Sequence, residues 1–349
     1  MPANMKVAEM LGIGRVRLAD RPVPEPRPGE VLVKVERVGI CGSDLHYFAH
    51  GRIGNYVVQP PFILGHEAGG IVVALGPGVE SPRIGDLVAL EPGVSCGRCQ
   101  FCLSGRYHLC PDVLFFATPP VDGVLAEYVA HPANLCFPTP SGLDSLDAAL
   151  IEPLAVGFHA AAQGRATIGQ KAVVFGAGCI GLMTLLALKA RGLTNVTIVD
   201  LMPSRLNKAL ELGAHNVVNS AQDDYLKAAK EITGGYGFDL AFETSGAEAA
   251  ARLSIESVKK GATIVLVGYG QTGEMTLPVS LALDKEVAIQ TVFRYHHVYP
   301  VAIEAVAAGL VSPRLVVTNS FDFADIQEAL DRSLNDKASV VKSVVIVSG

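Results

Sequence analysis

The sequence has few charged residues and no concentration of basic ones. Lysine and arginine number 28 against 34 acidic residues, and no basic run or tail occurs. Because a phosphate-backbone partner requires a basic face, nucleic-acid binding is not expected. Hydrophobic residues make up 50% of the 349 residues and charged residues 18%, so the chain can form sizeable cores and wholesale disorder is excluded.

Long apolar segments are also missing. The longest uncharged run, 172–188, has three glycines among its first ten residues, and basic residues follow it closely. It is better interpreted as a strand, a turn and a buried helix than as a membrane span. The N-terminus lacks the apolar core of a secretory signal. Seven cysteines, four of them clustered, favour metal binding in a reducing compartment, so we expect a cytoplasmic protein without a membrane partner.

Two successive patterns indicate two domains. Up to about residue 150, short apolar runs alternate with glycine and proline turn signals, which predicts a β-rich, partly open barrel. From about Gly164, strands and helices alternate, which predicts a doubly wound parallel sheet. Later in the chain, strands are expected at 276–278 and 287–292, helices near 298–308 and 324–334, and a final strand at 339–347.

A cysteine cluster in the first domain predicts a structural metal site. Its members, with two, two and seven residues between them, are Cys96, Cys99, Cys102 and Cys110. Four thiolates at such spacing can surround a zinc ion tetrahedrally and leave no open position, so the site is expected to be structural. An iron–sulfur cluster is the alternative for four cysteines.

A second candidate metal site lies upstream of the cysteine cluster. Cys41, His66 and Glu67 offer a thiolate, an imidazole and a carboxylate, which suit a catalytic zinc with one open position. Glycines on both sides of His66 and Glu67 allow the chain to bend closely around an ion. The alternative is that Cys41 is a small buried hydrophobic residue and His66 a hydrogen-bonded core histidine.

The second domain opens with a glycine motif. Gly176, Gly178 and Gly181 follow one strand and begin a helix, and Asp200 ends the next strand. In this context GxGxxG predicts a dinucleotide site, with the helix N-terminus facing the pyrophosphate. Asp200 would bind the ribose hydroxyls and repel a 2′-phosphate, which favours NAD over NADP. A glycine-rich turn without a ligand is the alternative.

Together these residues resemble the zinc-dependent medium-chain dehydrogenases over essentially the whole chain, and most closely their polyol branch, the sorbitol and xylitol dehydrogenases. The resemblance to that branch rests on motifs that begin at Cys41 (CGSDLHY), Gly51 (GRIGN), Ala117 (ATPP), Glu152 (EPLA) and Phe293 (FRYH). It implies an α/β fold with a GroES-like barrel as catalytic domain, residues 1–155 and 295–349, and a Rossmann NAD-binding domain, residues 156–294. It also implies a homo-oligomer, dimer or tetramer, joined through 276–279 and 287–292.

The resemblance also assigns roles to individual residues. Glu152 occupies the position of a zinc ligand, so it would stand close to the catalytic zinc of Cys41, His66 and Glu67, ligating directly or through water. Ser43 and His46 would relay a proton, although His46 could be a surface histidine. The implied polyol-binding residues are Tyr47, Phe115, Phe116, Arg294 and Tyr295. The implied NAD-binding residues are Gly176, Gly178, Cys179, Ile180, Gly181, Asp200, Arg205, Val267, Gly268, Val292, Phe293 and Arg294. Core packing is the alternative for the phenylalanines Phe115 and Phe116, and a solvated surface charge is the alternative for the two arginines.

The implied activity is reversible oxidation of a secondary hydroxyl of a polyol to a ketose, of the sorbitol (L-iditol) 2-dehydrogenase or D-xylulose reductase type. Each subunit would carry one catalytic and one structural zinc, with NAD as hydride acceptor. A threonine or other alcohol dehydrogenase of the same family is one alternative. A catalytically inactive dinucleotide-binding protein is another, although loss of catalysis would predict decay of the metal positions, all of which are present.

Overall fold

The structure, a computed structural model, describes residues 2–270 and 274–348 and forms two compact units. The first unit comprises Met1–Glu152, Tyr299–Ala307 and Val317–Gly349. The second unit comprises Pro153–Val298 and Ala308–Val316. The domain boundaries drawn from the sequence stay a prediction beside these units.

The elements are numbered in chain order. The strands are β1 (Asn4–Gly12), β2 (Arg15–Pro22), β3 (Glu30–Gly39), β4 (Arg52–Ile53), β5 (Tyr56–Val57), β6 (Phe62–Ile63), β7 (Glu67–Leu75), β8 (Leu87–Leu90), β9 (Gly93–Val94), β10 (Leu114–Phe115), β11 (Tyr128–Pro132), β12 (Cys136–Pro138), β13 (Lys171–Phe175), β14 (Asn195–Asp200), β15 (Asn216–Asn219), β16 (Phe238–Glu243), β17 (Val258–Leu266), β18 (Ala288–Thr291), β19 (Asn319–Asp322) and β20 (Ser343–Ile346). The α-helices are α1 (Gly42–His50), α2 (Gln100–Leu103), α3 (Ser145–Gln163), α4 (Cys179–Ala190), α5 (Pro203–Glu211), α6 (Tyr225–Thr233), α7 (Glu248–Ser257), α8 (Val279–Lys285), α9 (Tyr299–Ala307) and α10 (Ile326–Asn335).

The first unit is organised around a seven-stranded sheet in the order β12-β8-β7-β3-β20-β19, with β11 also paired to β3. The central strand β3 shows why these residues form a sheet. Its β-branched residues Val31, Val33 and Val35 alternate along the strand and are fully buried in the core of the unit. The antiparallel register of β3 with β7 places Gly39 opposite Glu67, so β3 ends and β7 begins at the candidate metal site.

The second unit contains a six-stranded parallel sheet in the order β15-β14-β13-β16-β17-β18. Its central strand β13 is an almost continuous buried apolar run, as expected when helices cover both faces of a parallel sheet. Strand β13 leads directly into the glycine motif and α4, and β14 ends at Asp200. The doubly wound arrangement predicted from the alternating pattern is confirmed.

The structure differs from the sequence expectations at several elements. Residues 276–278 are not a strand, because Pro278 directly precedes α8 and a proline cannot donate to a sheet ladder. Helix α3 was not anticipated, because it contains Pro153, which normally interrupts a helix. Within 2–270 and 274–348, no helix combines the length and the apolarity needed to cross a membrane.

Candidate active site

The structure brings Cys41, His66 and Glu67 together in the first unit. Their ligand atoms all lie within 4.8 Å of one another. Cys41 is the N-cap residue of α1, and Glu67 is the first residue of β7, directly after His66. His66 and Glu67 are buried, and Cys41 is partly exposed. One helix start and one strand start therefore converge on a candidate metal centre.

Asp44 supports this centre and was not singled out in the sequence. One of its carboxylate oxygens accepts a hydrogen bond from the Cys41 N–H at 3.0 Å, and the other accepts one from the Gly65 N–H at 2.9 Å. The second oxygen also lies 3.5 Å from Nδ1 of His66. A carboxylate at Nδ1 leaves the other ring nitrogen free to ligate a metal. The available signal was an acid three residues after an N-cap, which is the capping-box position.

The electrostatics of the centre favour a cation. Burial lowers the pKa of His66, but the charges of Asp44 and Cys41 outweigh it and raise that pKa well above 6.5. Burial likewise acts to raise the pKa of Asp44, yet the adjacent His66 and two backbone donors hold it below its usual value. A field that stabilises a proton on the imidazole also stabilises a dication beside it. The donor set of one sulfur, one nitrogen and one oxygen thus fits zinc.

Glu67 has a buried cationic partner that sequence inspection did not reveal. Lys342 Nζ forms an ion pair with Glu67 Oε2 and donates a hydrogen bond of 3.0 Å to the carbonyl oxygen of Ile40. Both side chains of the ion pair are only 1% exposed. A Cβ atom at Gly39 would overlap the Glu67 carboxylate, so glycine is required opposite this residue. Lys342 and Gly39 together determine where the Glu67 carboxylate lies.

Glu152 is buried on α3 but does not belong to the group of ligand atoms within 4.8 Å that the described residues form. Its charge instead acts on Glu91, a second buried carboxylate directly after β8. Burial raises the pKa of Glu91 to about 7, a hydrogen bond from Tyr107 opposes the rise, and Glu152 adds to it. Glu91 is a residue of the site that the sequence patterns did not indicate.

The remaining sequence candidates of the first unit surround this centre to different degrees. Ser43 is half-buried in the first turn of α1 and His46 is exposed one turn later, with its ring 4.7 Å from that of His50. Tyr47 is buried and packs edge-on against Phe62. The ring of Phe115 lies 5.7 Å from that of His66, whereas the ring of Phe116 packs at 4.6 Å on His131. Phe115 therefore lies beside the metal centre, whereas Phe116 packs on His131.

The four clustered cysteines also converge, and every pair of their sulfur atoms lies within 4.8 Å. Cys99 Sγ is 3.4 Å from Cys102 Sγ, and Cys96 Sγ is 4.0 Å from it. The backbone N–H of Cys102 points at Cys99 Sγ at 3.5 Å, and that of Cys96 points at Cys110 Sγ at 3.4 Å. Four thiols with backbone N–H groups directed at two of them match a closed tetrathiolate metal site.

In the second unit, the glycine motif forms the tight turn expected between β13 and α4. Gly176 has a φ of 98°, a left-handed value that favours glycine. A Cβ atom at Gly181 would overlap the carbonyl oxygen of Gly176, so helix and turn are in direct contact. Gly178 is the N-cap residue of α4, and Cys179 and Ile180 begin the helix. The helix N-terminus is thus open to an anionic group.

The other cofactor candidates lie along the carboxyl edge of this sheet. Asp200 accepts hydrogen bonds from the N–H groups of Ala177 at 2.7 Å and Met202 at 2.9 Å, which ties β14 to the glycine turn. Arg205 Nη1 lies 3.9 Å from the position of a Cβ at Gly178, and its buried Nε finds no hydrogen-bond partner among the described residues. The N–H groups of Val267 and Gly268 both donate to the Glu243 carbonyl oxygen. These contacts fix the turns that follow β14 and β17 at the edge of the sheet.

Four candidates follow β18 in the second unit. The N–H of Val292 donates to the Leu266 carbonyl oxygen at 3.0 Å, and Phe293 is 40% exposed. The guanidinium of Arg294 lies over the Phe293 ring at 4.8 Å, with a backbone φ of 55°. Tyr295 is buried. A left-handed arginine costs conformational energy, and such strain often marks a functional segment.

His131 gives the first unit a predictable pH dependence. Its Nε2 lies 2.8 Å from the Glu91 carbonyl oxygen, and burial lowers its pKa from 6.5 to about 4, although this hydrogen bond opposes the shift. A depressed histidine pKa means that the unfolded chain binds the proton first, so stability is lost as pH falls from 6.5 towards 4. We expect a loss of about 3 kcal/mol over this range.

Urea unfolding of the wild type and of His131→Gln over this pH range measures the effect. The variant should lose this part of the pH dependence, because glutamine does not titrate. His215→Gln, at an exposed histidine, serves as control and should keep the wild-type slope. Equal slopes for wild type and His131→Gln would contradict the assignment.

Two family descriptions match the sequence. The alcohol dehydrogenase GroES-like domain matches residues 27–141, and the zinc-binding dehydrogenase domain matches residues 179–308. The sorbitol dehydrogenase of Bacillus subtilis (strain 168) is 44% identical over 345 residues, covering 99% of this chain and 98% of that protein. Human sorbitol dehydrogenase is 43% identical and covers 95% and 92%, respectively.

Solved structures resemble the chain over nearly its whole length. An Escherichia coli oxidoreductase/dehydrogenase of unknown specificity superposes with a TM-score of 0.95 at 40% identity, covering 99% of this chain and 100% of the other. An alcohol dehydrogenase of Escherichia coli CFT073, complexed with NADH, has a TM-score of 0.92 at 29% identity and the same coverage. A zinc-binding dehydrogenase of Sinorhizobium meliloti 1021, bound to NADP, has a TM-score of 0.91 at 30% identity, again with that coverage. The expected fold class, a GroES-like domain with a Rossmann parallel sheet, is confirmed.

Proposed function

This chain belongs to the family of zinc-binding alcohol dehydrogenases with a GroES-like domain, and we propose that it interconverts a polyol and the corresponding ketose, with NAD as hydride acceptor. The observation that carries the proposal is the group Cys41, His66 and Glu67, whose ligand atoms lie within 4.8 Å of one another. Similarity to sorbitol dehydrogenases over more than nine-tenths of the chain supports a polyol of the sorbitol or xylitol type as substrate.

Two donor groups would hold zinc. Cys41, His66 and Glu67, with Glu152 as an additional carboxylate, would hold the catalytic ion, and the four clustered cysteines the structural one. When bound, zinc supplies a Lewis acid to the alcohol oxygen and NAD supplies a hydride acceptor. Asp44 keeps the His66 ring in one orientation, and Phe115 shields one side of it from water. These residues preorganise the reacting hydroxyl in a partly dry site.

Ser43 and His46 would carry the hydroxyl proton to solvent. They lie three residues apart on α1 and therefore on one face of the helix, with Ser43 half-buried and His46 exposed. Burial and the neighbouring His50 lower the pKa of His46, so its ring is neutral near pH 7 and can accept a proton. The hydroxyl proton would leave through this pair when the alcohol is oxidised.

The second unit would bind NAD along its sheet edge. The pyrophosphate would face the N-terminus of α4, and Arg205 would contact the adenosine half. Asp200 uses two acceptor positions on backbone N–H groups, which leaves acceptor capacity for ribose hydroxyls. Val267, Gly268 and the segment 292–294 would face the nicotinamide. Arg294 and Tyr295 are the polyol-binding candidates of the second unit, and Tyr47 is a polyol-binding candidate of the first.

Asp200 makes the cofactor choice testable. Asp200→Asn keeps the size of the side chain but removes the charge that repels a 2′-phosphate. We expect the ratio of kcat/KM for NAD to that for NADP to fall by about 10- to 100-fold, the equivalent of one charge-assisted hydrogen bond. Initial rates with both cofactors measure this ratio. The exposed Asp284→Asn should leave the ratio unchanged, and an unchanged ratio in Asp200→Asn would exclude the proposed role.

We also propose that the protein is a cytoplasmic homo-oligomer, dimer or tetramer. None of the seven cysteines forms a disulfide, in keeping with a reducing compartment. Strand β18 is an edge strand whose four residues are exposed, and Val279 and Leu283 of α8 are exposed next to it in sequence. An uncovered edge of this kind pairs readily with a second copy. Sedimentation velocity of the purified protein tests this proposal.

The decisive test of the function is NADH formation by purified protein with four- to six-carbon polyols, primary alcohols and threonine, with and without a zinc chelator. We expect chelator-sensitive turnover of a polyol with NAD and little with NADP. Turnover confined to threonine or primary alcohols would overturn the polyol assignment and favour another dehydrogenase of the family. Absence of any turnover in protein with a full zinc content would favour a non-catalytic dinucleotide-binding protein.

A further inference from the structure

Residues 96–110, the four-cysteine lobe, lack a hydrophobic core of their own. None of the four residues of α2 is buried, and Leu103 is 77% exposed. A metal ion that joins the four cysteines would supply folding free energy to such a loop. The other side chains of the lobe would then be held more firmly with the metal than without it.

One of those side chains leaves the lobe and reaches the catalytic part of the first unit. Tyr107 lies in a short 3₁₀ helix, Tyr107–Leu109, between Cys102 and Cys110. Its hydroxyl donates a hydrogen bond of 2.8 Å to Oε1 of Glu91. Glu91 is buried, with 3% of its surface exposed. A buried carboxylate that loses a hydrogen-bond donor is strongly disfavoured, so Tyr107 and Glu91 restrain each other.

The residues after Glu91 lead directly to the candidate metal centre. The carbonyl oxygen of Pro92 accepts a hydrogen bond from the Phe116 N–H, and Gly93 pairs with Phe115 between β9 and β10. A Cβ atom at Gly93 would lie 3.2 Å from the Phe115 ring, so the two strands are in close contact. The ring centroid of Phe115 lies 5.7 Å from that of His66. Glu91 thus precedes the strand that holds Phe115 in place.

We propose that Glu91 is a positioning residue that couples the four-cysteine lobe to the catalytic metal site, through its hydrogen bond from Tyr107 and the Gly93–Phe115 pairing beside His66. The inference rests on the proposed function, since it assumes that Cys41, His66 and Glu67 hold a metal. With the lobe loaded, Tyr107 holds Glu91 and Phe115 stays against His66. With the lobe empty, that restraint is lost and the metal at His66 is held less firmly.

The test measures zinc itself rather than turnover alone. Zinc per chain is determined by atomic emission, and the rate of zinc release to a chromophoric chelator is followed in wild type and variants. Cys41→Ser identifies the release phase of the catalytic site, and Cys99→Ser that of the lobe. Tyr107→Phe removes the donor, and Glu91→Gln removes the charge but keeps an acceptor. The exposed residues Tyr236 and Glu80 supply the controls Tyr236→Phe and Glu80→Gln.

We expect two zinc ions per wild-type chain. Tyr107→Phe should speed zinc release from the catalytic site by about tenfold, the lower end of the usual effect of removing a residue that supports a metal ligand. The controls should release zinc at the wild-type rate. The kcat of Tyr107→Phe should fall and its KM for NAD should stay unchanged, because the predicted NAD residues lie in the second unit. Tyr107→Phe should add nothing to Cys99→Ser, because an empty lobe has already lost its hold on Glu91. Glu91→Gln should release zinc more slowly than Glu91→Ala, because the amide still accepts from Tyr107.

Three results would overturn the inference. Wild-type zinc release in Tyr107→Phe would show that the hydrogen bond does not reach the metal site, and full additivity with Cys99→Ser would show that the lobe and Tyr107 act separately. A wild-type chain that holds a single zinc, lost in Cys99→Ser, would overturn both the inference and the proposed catalytic metal. Two zinc ions with an inert Tyr107→Phe would overturn the coupling alone.

Discussion

Replacing Cys41 with serine should reduce the zinc content from two ions per chain to one and abolish measurable polyol oxidation. Cys41 supplies the sulfur of the donor group that it forms with His66 and Glu67, and a hydroxyl is a much weaker zinc ligand than a thiolate. Lewis-acid stabilisation of the reacting oxygen is worth several kcal/mol, so its loss lowers kcat by about 10³-fold or more. Atomic emission and NADH formation measure the two effects independently.

Cofactor binding shows whether the Cys41→Ser variant is still folded. The predicted NAD residues lie in the second unit, so the affinity for NADH, measured by its fluorescence, should be close to that of the wild type. Cys136→Ala is the control, since Cys136 is a buried thiol in β12 that belongs neither to the Cys41 group nor to the four-cysteine lobe. This variant should keep both zinc ions. If Cys41→Ser retained two zinc ions and normal turnover, Cys41 would not be a zinc ligand.

Replacing Lys342 with methionine should lower the free energy of unfolding by about 3–5 kcal/mol, the usual effect of removing one partner from a buried ion pair. Methionine has nearly the same length as lysine, so packing changes little. The Glu67 carboxylate, however, loses its countercharge although its side chain is only 1% exposed. The carbonyl oxygen of Ile40 loses its donor as well. Urea denaturation of the purified variant measures the change.

The double variant Glu67→Gln/Lys342→Met separates charge from packing. It should recover most of the lost stability, because a neutral amide requires no countercharge. Lys208→Met is the matched control, since Lys208 pairs with Glu211 on the surface of α5 at 2.6 Å, and it should change stability by no more than about 1 kcal/mol. If Lys342→Met were no more destabilising than Lys208→Met, the buried pair would not restrain Glu67.

The parts of the molecule that depend on short stretches of sequence were predictable. The cysteines of the lobe and the glycines of the dinucleotide turn are each separated by fewer than ten residues. At such separations the backbone itself brings the side chains together, so residue type and spacing are enough to identify the chemistry. The same holds for the alternating strands and helices of the second unit, where each buried strand is a continuous apolar run.

Helix α3 shows where local propensity misleads. Pro153 argues against a helix in isolation, because it removes a hydrogen bond and crowds the preceding turn. Its neighbours Leu150, Ile151, Leu154 and Ala155 are all fully buried, and that burial outweighs the local penalty. Because the helix forms, Glu152 faces the interior near Glu91 rather than lying on a loop.

By itself the sequence determined the family, the two-pattern architecture, the cysteine lobe, the dinucleotide turn and the candidate ligands Cys41, His66 and Glu67. Only the tertiary structure revealed the residues that support those ligands. Lys342 lies 302 positions from Ile40 in the chain, and in an alternating strand pattern a lysine is normally assigned to the solvent face. It is buried here directly before β20, which pairs with β3 on one side and β19 on the other, and burial of a charge is decided by what packs over it rather than by its neighbours in sequence.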